Sequence, residues 1–451
     1  MTPSARLQAV IDILEGLEAT AQPADRFLRD WFRARRYAGS KDRAAIAERT
    51  YDILRHRSSF AWRMGSDARA LVIASLLHQR FSPDAIAALF NGDGYGAAPL
   101  SDAERNSIAS PPGDPPLHVK GEFPEFLAAE LGRAFGDGVL DEMIAMQARA
   151  PVDLRVNTLK SSRDAVAETL HADGFAVEAT PYSPHGLRLA PGEGSAKLST
   201  SKLFLDGAFE FQDEAAQIAA LLCGAKPGMR VLDLAAGAGG KSLALAAAME
   251  NRGEIAAHDV DPARLRPLAA RAERAGATII KNLPLHRFSG GEGRGEGASA
   301  SSALSTPPHP NPLPHVRVGE GIGSFDVVLV DSPCSGTGTW RRQPELRWRI
   351  TQERLNALTA LQDELLEQGA GLTKQGGRLV YTTCSLLPCE NEDRVEAFLA
   401  RHGEFAVVPA AQVWSEETGA PPPRGMERFF RATPLAIGTD GFFTALLQRA
   451  R

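Results

Sequence analysis

A short apolar run, Arg230-Val-Leu-Asp-Leu-Ala235, passes through Ala236-Gly-Ala-Gly-Gly240 into a helical pattern over Lys241–Met249. A buried strand that turns on small residues straight into a helix belongs to a parallel α/β sheet, whose strands need crossover connections. The same rhythm continues downstream. Glu254–His258 reads as a strand, Pro262–Ala275 as a helix, Phe325–Val330 as a strand, Glu353–Leu372 as a helix and Gly377–Thr382 as a strand. From about residue 206 to 451 the pattern therefore predicts a doubly wound, Rossmann-like sheet.

The rest of the chain is of different character. Residues 1–115 read as helices only, with Leu7, Val10, Ile11 and Leu14 and then Ala44, Ile46, Ala47 and Tyr51 at three/four spacing. The stretch Ser110-Pro-Pro-Gly-Asp-Pro-Pro116 breaks that pattern and predicts a linker. Residues 116–205 mix a helix over Phe126–Ala150, a strand over Asp153–Thr158, a helix over Arg163–Ala172 and a strand over Phe175–Ala179, a small α/β module. The segment 289–324 is rich in Gly, Ser, Pro and Glu and nearly free of apolar periodicity. It cannot bury enough surface to offset its ordering entropy and is expected to be a disordered insertion without catalytic role.

Composition narrows the class. With 43% hydrophobic and 23% charged residues the chain has the makings of a soluble globular protein. No run of about 18 apolar residues marks a membrane helix. The N-terminus, with Asp12, Glu15 and Glu18 at helical spacing, reads poorly as a signal peptide, so a cytoplasmic monomer without membrane contact is expected. A net charge of −5 argues mildly against bulk nucleic-acid binding. The stretch Arg26–Arg63 is nevertheless basic, with Phe27, Trp31 and Tyr37 among its charges. It is either a solvated helical face or a phosphate-contacting surface. The four cysteines, Cys223, Cys334, Cys384 and Cys389, form no disulfide framework and no zinc spacing, so no metal is expected.

The glycine turn Asp233-Leu-Ala-Ala-Gly-Ala-Gly-Gly-Lys241 lets a ligand approach the backbone and offers it a helix N-terminus. It fits a nucleotide or S-adenosylmethionine; its glycine spacing is wrong for a P-loop. Asp259, 26 residues after Asp233 at the end of the next strand, either takes ribose hydroxyls or caps a helix with Asp261 and Pro262. Two further motifs, Asp331-Ser-Pro-Cys-Ser-Gly-Thr-Gly338 and Tyr381-Thr-Thr-Cys-Ser385, each follow a strand. In a doubly wound sheet their loops emerge beside the glycine turn, so Asp331, Cys334 and Cys384 are expected to converge on one cofactor.

Two thiols facing a methyl donor suit methylation of cytosine carbon-5. A thiolate added to carbon-6 makes carbon-5 nucleophilic enough to attack a sulfonium methyl. A free thiol of pKa ~8.5 must be made more acidic for this, and Lys241 and nearby helix N-termini are candidates. Asp331 is placed to hold or protonate the ring nitrogen as charge develops. Any one cysteine after a buried strand is more often plain core. Cys223, on an apolar helix, is expected to be core, and Cys389, in a polar turn, a bystander.

In this order the four motifs resemble those of RNA 5-methylcytosine methyltransferases of the RsmB/Sun/nucleolar-protein type, from about Arg149 to the end of the chain. The resemblance is carried by Asp331-Ser-Pro-Cys with Arg341, Arg342, Pro344 and Trp348, and by Thr383-Cys-Ser with Pro388 and Glu390-Asn-Glu392. Phe211-Gln-Asp-Glu214 and Thr439-Asp-Gly-Phe-Phe443 add to it. It implies Cys384 as nucleophile and Cys334 as the thiol that helps release product. It also implies S-adenosylmethionine held by Ala235, Ala236, Gly237, Ala238, Gly239, Gly240, Lys241, Asp259 and Asp331. The residues alone leave the order of the two thiols open. The family's loop usually reads Cys-Ala-Ala-Pro-Gly-Gly-Lys, against Ala235-Ala-Gly-Ala-Gly-Gly-Lys241 here, and its usual Asp after the third strand is answered only by Asn282. The helical N-terminus resembles the NusB-type module of bacterial ribosomal members, through Gly39-Ser-Lys-Asp-Arg43 and Tyr51-Asp-Ile-Leu-Arg55, which tilts the expected substrate toward small-subunit ribosomal RNA over transfer RNA.

Other classes make other demands. A non-catalytic RNA-binding assembly factor would be expected to show damage to the glycine loop or thiols. An NAD-dependent oxidoreductase leaves both cysteine motifs unexplained. A DNA cytosine methylase would use Cys334 as nucleophile and prefer DNA.

Overall fold

The computed structural model describes residues 1–190, 195–283 and 324–451; the segment expected to be an insertion, 289–324, lies outside them save for Ser324. Contacts divide the chain into two compact units, Met1–Arg149 with Thr339–Ile350, and Ala150–Gly338 with Thr351–Arg451.

The first unit is helical. Thr2, Asp67 and Ser101 cap helices Pro3–Glu18, Ala68–His78 and Asp102–Ala109 by accepting a backbone amide of the first turn. Leu7, Val10, Leu14, Leu28, Trp31, Ile46, Ile53, Phe60 and Leu71 meet in one core. The contacts do not part at the Pro/Gly stretch near 115, where the sequence pattern placed a boundary. Beyond it, the buried Glu122 carboxylate accepts the amides of Ser58 (2.7 Å) and Ser59 (3.0 Å), at the start of helix Arg57–Met64. A carboxylate satisfied by a helix N-terminus ties residues 116–149 to the helices before them. The continuous helix expected over Phe126–Ala150 is also broken, into Ala128–Phe135 and Val139–Ala145, at Gly136 with φ +55°.

Thr339–Ile350 belongs to this helical unit although its sequence follows a cysteine motif. The fully buried Arg347 donates to the carbonyls of Met146 (2.8 Å) and Arg55 (3.1 Å). Trp348 donates to Leu54 O, and Glu345 accepts the amide of Ala24 at the start of helix Ala24–Ala34.

The second unit holds two sheets. The smaller has strands β1 (Asp153–Val156), β2 (Val177–Ala179), β3 (Gly186–Leu189) and β4 (Phe209–Phe211) in the order β2-β3-β1-β4, all antiparallel. The larger contains β5 (Arg230–Asp233), β6 (Glu254–Ala257), β7 (Ile280–Asn282), β8 (Phe325–Asp331), β9 (Thr373–Thr383), β10 (Phe405–Val408), β11 (Phe430–Ala432) and β12 (Phe442–Arg449). Its order is β10-β12-β9-β8-β5-β6-β7, with β11 on β12. Strands β7-β6-β5-β8-β9 run parallel, and β12 returns antiparallel on β9. The chain winds outward from β5 to β7, then resumes on the other side of β5 with β8. That reversal is the switch point at which such sheets bind ligands.

Both faces of the large sheet are covered, so its central strands are apolar throughout. Val231, Val327, Leu329 and Val380 face helices Glu214–Leu222, Gly240–Ala248 and Ala410–Thr418. Leu232, Val328, Val330 and Leu379 face helices Gln352–Leu372 and Glu392–Arg401 on the other side.

Candidate active site

The glycine turn leaves β5 at the switch point. Gly237 and Gly239 adopt φ of +54° and +81°, which side chains with a Cβ disfavour. A Cβ at Gly239 would stand 2.1 Å from Leu268 Cδ1. The turn is held by Ala236 N to His258 O (2.8 Å) and by Gly237 N to Asp259 Oδ2 (2.9 Å), and helix Gly240–Ala248 starts directly after it.

Asp259 lies two residues beyond the end of β6, and it is buried. Its Oδ1 accepts the amide of Asp261, and Arg264 approaches Oδ2 at 3.3 Å. The cap of helix Pro262–Ala275 is Asp261 instead. Asp259 thus shapes the glycine turn directly: Oδ2 is shared by the Gly237 amide and Arg264, while Oδ1 accepts one amide and keeps a lone pair. Asn282 ends β7, exposed and in register with Ala257 of β6.

Lys241 and Asp331 form an ion pair, Nζ to Oδ2 at 2.6 Å, that joins the helix after β5 to the end of β8. Burial disfavours the ammonium, but the Asp331 charge and hydrogen bond outweigh it and hold the Lys241 pKa above its usual value. The ammonium also lies 5.1 Å from the centroid of Phe442. Asp233 ends β5 fully buried, accepts the Ser242 hydroxyl at 2.6 Å and is pushed by burial up to about 7.

The two motif cysteines, 50 residues apart in sequence, stand with their Sγ atoms 3.3 Å apart in adjacent loops after β8 and β9. Contact with Cys384, burial and the Glu390 charge push the Cys334 thiol well above its ordinary range. Cys223 is core, its thiol raised to about 12 by burial, and Cys389 is half-buried.

A buried polar network that the sequence reading did not assign joins the two thiol loops. Ser335 and Ser385, each the residue after a cysteine, both donate to the Glu390 carboxylate. Gly338 N donates to Cys384 O at 2.9 Å, and Leu386 N to Thr337 Oγ1 at 2.8 Å. Asn391 accepts from Thr383 and donates to Ser385 O. The signal was present in the sequence as serine after each cysteine and an acidic side chain shortly beyond the second.

Two other stretches of the resemblance meet in this unit. Asp213 caps helix Glu214–Leu222 and accepts the amide of Asp440, so Phe211–Glu214 and Thr439–Phe443 are tied together. In the helical unit, many arginines of the basic stretch serve the fold: Arg49 donates to Ser75 and Gln79, Arg63 to Ser107 O and Ile108 O, and Arg57 pairs with Glu18. Arg26, Arg36, Tyr37 and Lys41 are exposed.

Comparison with known proteins places this geometry. The family described as 16S rRNA methyltransferase RsmB/F matches residues 313–448, and the ferredoxin-like domain of RsmF/B-like methyltransferases matches residues 123–193. A probable ribosomal RNA small subunit methyltransferase B from Synechocystis is 32% identical, over 73% of this chain and 67% of that protein. Ribosomal RNA small subunit methyltransferase F from Serratia proteamaculans is 31% identical, over 72% of this chain and 63% of that one. Among solved structures, PH0851 is similar over 100% of this chain and 99% of its own, with TM-score 0.73 and 27% identity. A methyltransferase homologue from Pyrococcus horikoshii is similar over 74% of this chain and 97% of its own, with TM-score 0.56 and 26% identity. The glycine turn at the switch point, the sheet order and these likenesses agree, and the chain belongs to the RsmB/F family of S-adenosylmethionine-dependent 16S ribosomal RNA methyltransferases.

Proposed function

We propose that the protein methylates carbon-5 of a cytosine in small-subunit ribosomal RNA through a covalent adduct with Cys384. The observation that carries this reading is the pair of thiols 3.3 Å apart, with Cys384 near enough to the Lys241 ammonium, at the end of the glycine turn, to act on it electrostatically. Methylation at oxygen or an exocyclic nitrogen needs no thiol, whereas carbon-5 of cytosine needs a nucleophile at carbon-6.

S-adenosylmethionine supplies the electrophilic methyl group. The turn Ala235–Lys241 is suited to hold it, since it runs into the N-terminus of helix Gly240–Ala248, whose amides and dipole favour a carboxylate, and Asp259 is the acidic group suited to ribose hydroxyls. The Cys384 thiolate bonds to carbon-6 of the ring, and carbon-5, made nucleophilic by that addition, takes the methyl group, leaving S-adenosylhomocysteine. The carbon-5 proton then passes to a base, and the electrons of that bond restore the aromatic ring as the sulfur–carbon bond breaks and the Cys384 thiolate leaves. The Lys241 ammonium favours negative charge as the thiolate forms, and Asp331, a third exposed, can hold the ring nitrogen by accepting from it once that nitrogen is protonated as charge develops. Cys334, in contact with Cys384 at 3.3 Å, is placed to assist release, the role the resemblance implies for it. The target base must be unpaired or extruded, since carbon-6 cannot be reached within a stack. On the helical unit, the exposed Arg26, Arg36, Tyr37 and Lys41 are the candidate phosphate-contacting surface.

The test is radiolabelled methyl transfer to protein-free small-subunit RNA and to transfer RNA, with nucleoside analysis of the product. Wild type is expected to give 5-methylcytosine in ribosomal RNA, Cys384→Ala none, and Cys334→Ala an accumulating protein–RNA adduct. An adduct trapped by Cys384→Ala instead would reverse the thiol roles. A methylated product other than 5-methylcytosine would end the reading.

A further inference from the structure

Strands β8 and β9 are hydrogen-bonded neighbours up to Asp331 and Thr382, but beyond the ladder nothing in sheet geometry sets the separation of the loops that follow. The thiols nevertheless stand at contact distance. Four donors converge on the buried Glu390 carboxylate. Ser335 N (2.8 Å) and Gln362 Nε2 (3.1 Å) reach Oε1, and the hydroxyls of Ser335 and Ser385 (2.5 Å each) reach Oε2. Glu390 is fully buried and takes part in none of the bond-making steps above.

We infer that Glu390 is a positioning residue that sets the separation of Cys334 and Cys384 by clamping the serine that follows each of them. The inference rests on the two-thiol reading of the reaction. An ionised carboxylate presents about four acceptor sites and no donor, which matches the four donors here. The serine hydroxyls donate to it because an ionised carboxylate can only accept; each serine oxygen in turn accepts an amide, Ser385 from Leu387 (3.0 Å) and Ser335 from Thr337 (3.4 Å). A glutamine at 390 would turn an NH2 group toward at least one donor, so even this near-isosteric change must loosen one arm. The clamp is itself braced: the Tyr381 hydroxyl donates to Glu390 O at 2.6 Å. Burial raises the Glu390 carboxyl and the serine hydrogen bonds work against that rise.

The same charge acts on the nearer thiol. Cys334 faces the Cys384 sulfur, the Glu390 carboxylate and the amide of Gly336, and the first two favour its protonated form. The Lys241 ammonium feels the charges of Asp331, Asp233 and Cys384. Removing the Glu390 charge therefore lets Cys334 ionise at lower pH, a change that a purely structural brace would not produce.

The experiment uses the full chain with Glu390→Gln and, as a variant that cuts one arm only, Ser385→Ala. Closure of the Cys334–Cys384 disulfide by diamide reports thiol separation. Alkylation of Cys334 by iodoacetamide against pH, in a Cys384→Ala background, reports its ionisation. Both variants are expected to slow closure roughly tenfold and to lower kcat about 10–100-fold with KM little changed, in line with the sensitivity of reactions to small misplacements. Glu390→Gln alone is expected to move the Cys334 alkylation midpoint to lower pH. Folded variants with unchanged closure rates and an unchanged midpoint would overturn the inference. If Glu390→Gln does not fold, Ser385→Ala decides through closure. Slowed closure in a protein whose wild type makes no 5-methylcytosine would sustain the clamp and remove the proposed reaction.

Discussion

Replacing Asp331 with Asn removes one charge from a pair whose other member is the more deeply buried. The Lys241 side chain is 10% exposed and that of Asp331 33%, at an N–O distance of 2.6 Å. Breaking a buried pair from one side costs about 3–5 kcal/mol, because the remaining charge is left unpaired. The amide oxygen of Asn keeps the hydrogen bond, and the solvent at Asp331 already screens part of the attraction. These bring the expected loss to about 2 kcal/mol, or roughly 4–6 °C in melting temperature for a unit of this size. The pH dependence is the sharper test. In wild type the Lys241 pKa is raised, so its stabilisation is complete below the ordinary lysine value of 10.5 and is lost only as pH rises through the higher folded value. In Asp331→Asn, burial opposes the ammonium without its main counterweight, and the folded state comes to favour the neutral amine. The penalty is then full at pH ~7 and shrinks toward pH ~10. Melting of both proteins by circular dichroism at pH 7, 8.5 and 9.5 should show the gap narrowing. Lys241→Met, which leaves the better solvated partner alone, should cost less than Asp331→Asn. A gap that stays constant or widens with pH, or a Lys241→Met variant that is the less stable of the two, would refute this account.

Two other changes test the ground around the glycine turn. Gly239→Ala puts a Cβ at φ +81° and 2.1 Å from Leu268 Cδ1, so thermal melting without cofactor should show a loss of at least about 1–2 kcal/mol of stability from backbone strain; an unchanged melting temperature would mean that the turn relaxes without cost. Asp233, pushed by burial up to about 7, keeps its proton in the folded state where the unfolded chain has lost it, so its contribution to stability declines as pH rises from about 4 to about 7. Asp233→Asn should therefore melt above wild type at pH 8 and close to it at pH 5 without cofactor; identical differences at both pH values would contradict this.

Much of the second unit was legible because its signals are local. The helix limits Arg163–Ala172 and Pro262–Ala275 follow from Ser162 and Asp261 capping them, and Gly276 in a left-handed conformation ends the second. The β5 and β8 strands show as apolar runs because both faces of the sheet are covered. The doubly wound order makes it possible to place the loops of Cys334 and Cys384 near the glycine turn before any distance is known. Less visible were the antiparallel strands β10, β11 and β12, which are short or carry a pattern that only the partner strand explains.

The residues by themselves determined the class of fold and marked the glycine turn and the two thiols, since each is written as a short motif whose chemistry depends on its own neighbours. Tertiary structure decided what those motifs do to one another. It brought the Cys334 and Cys384 sulfurs to 3.3 Å, turned Asp259 toward the Gly237 amide, and gathered Ser335, Ser385 and Gln362 around Glu390. It also assigned Thr339–Ile350 to the helical unit, where Arg347 meets the carbonyls of Arg55 and Met146, 292 and 201 residues away in sequence. A motif's local pattern records backbone preference and burial. The partner of a buried charge is recorded nowhere near it, because burial demands only that some partner be present when the chain folds.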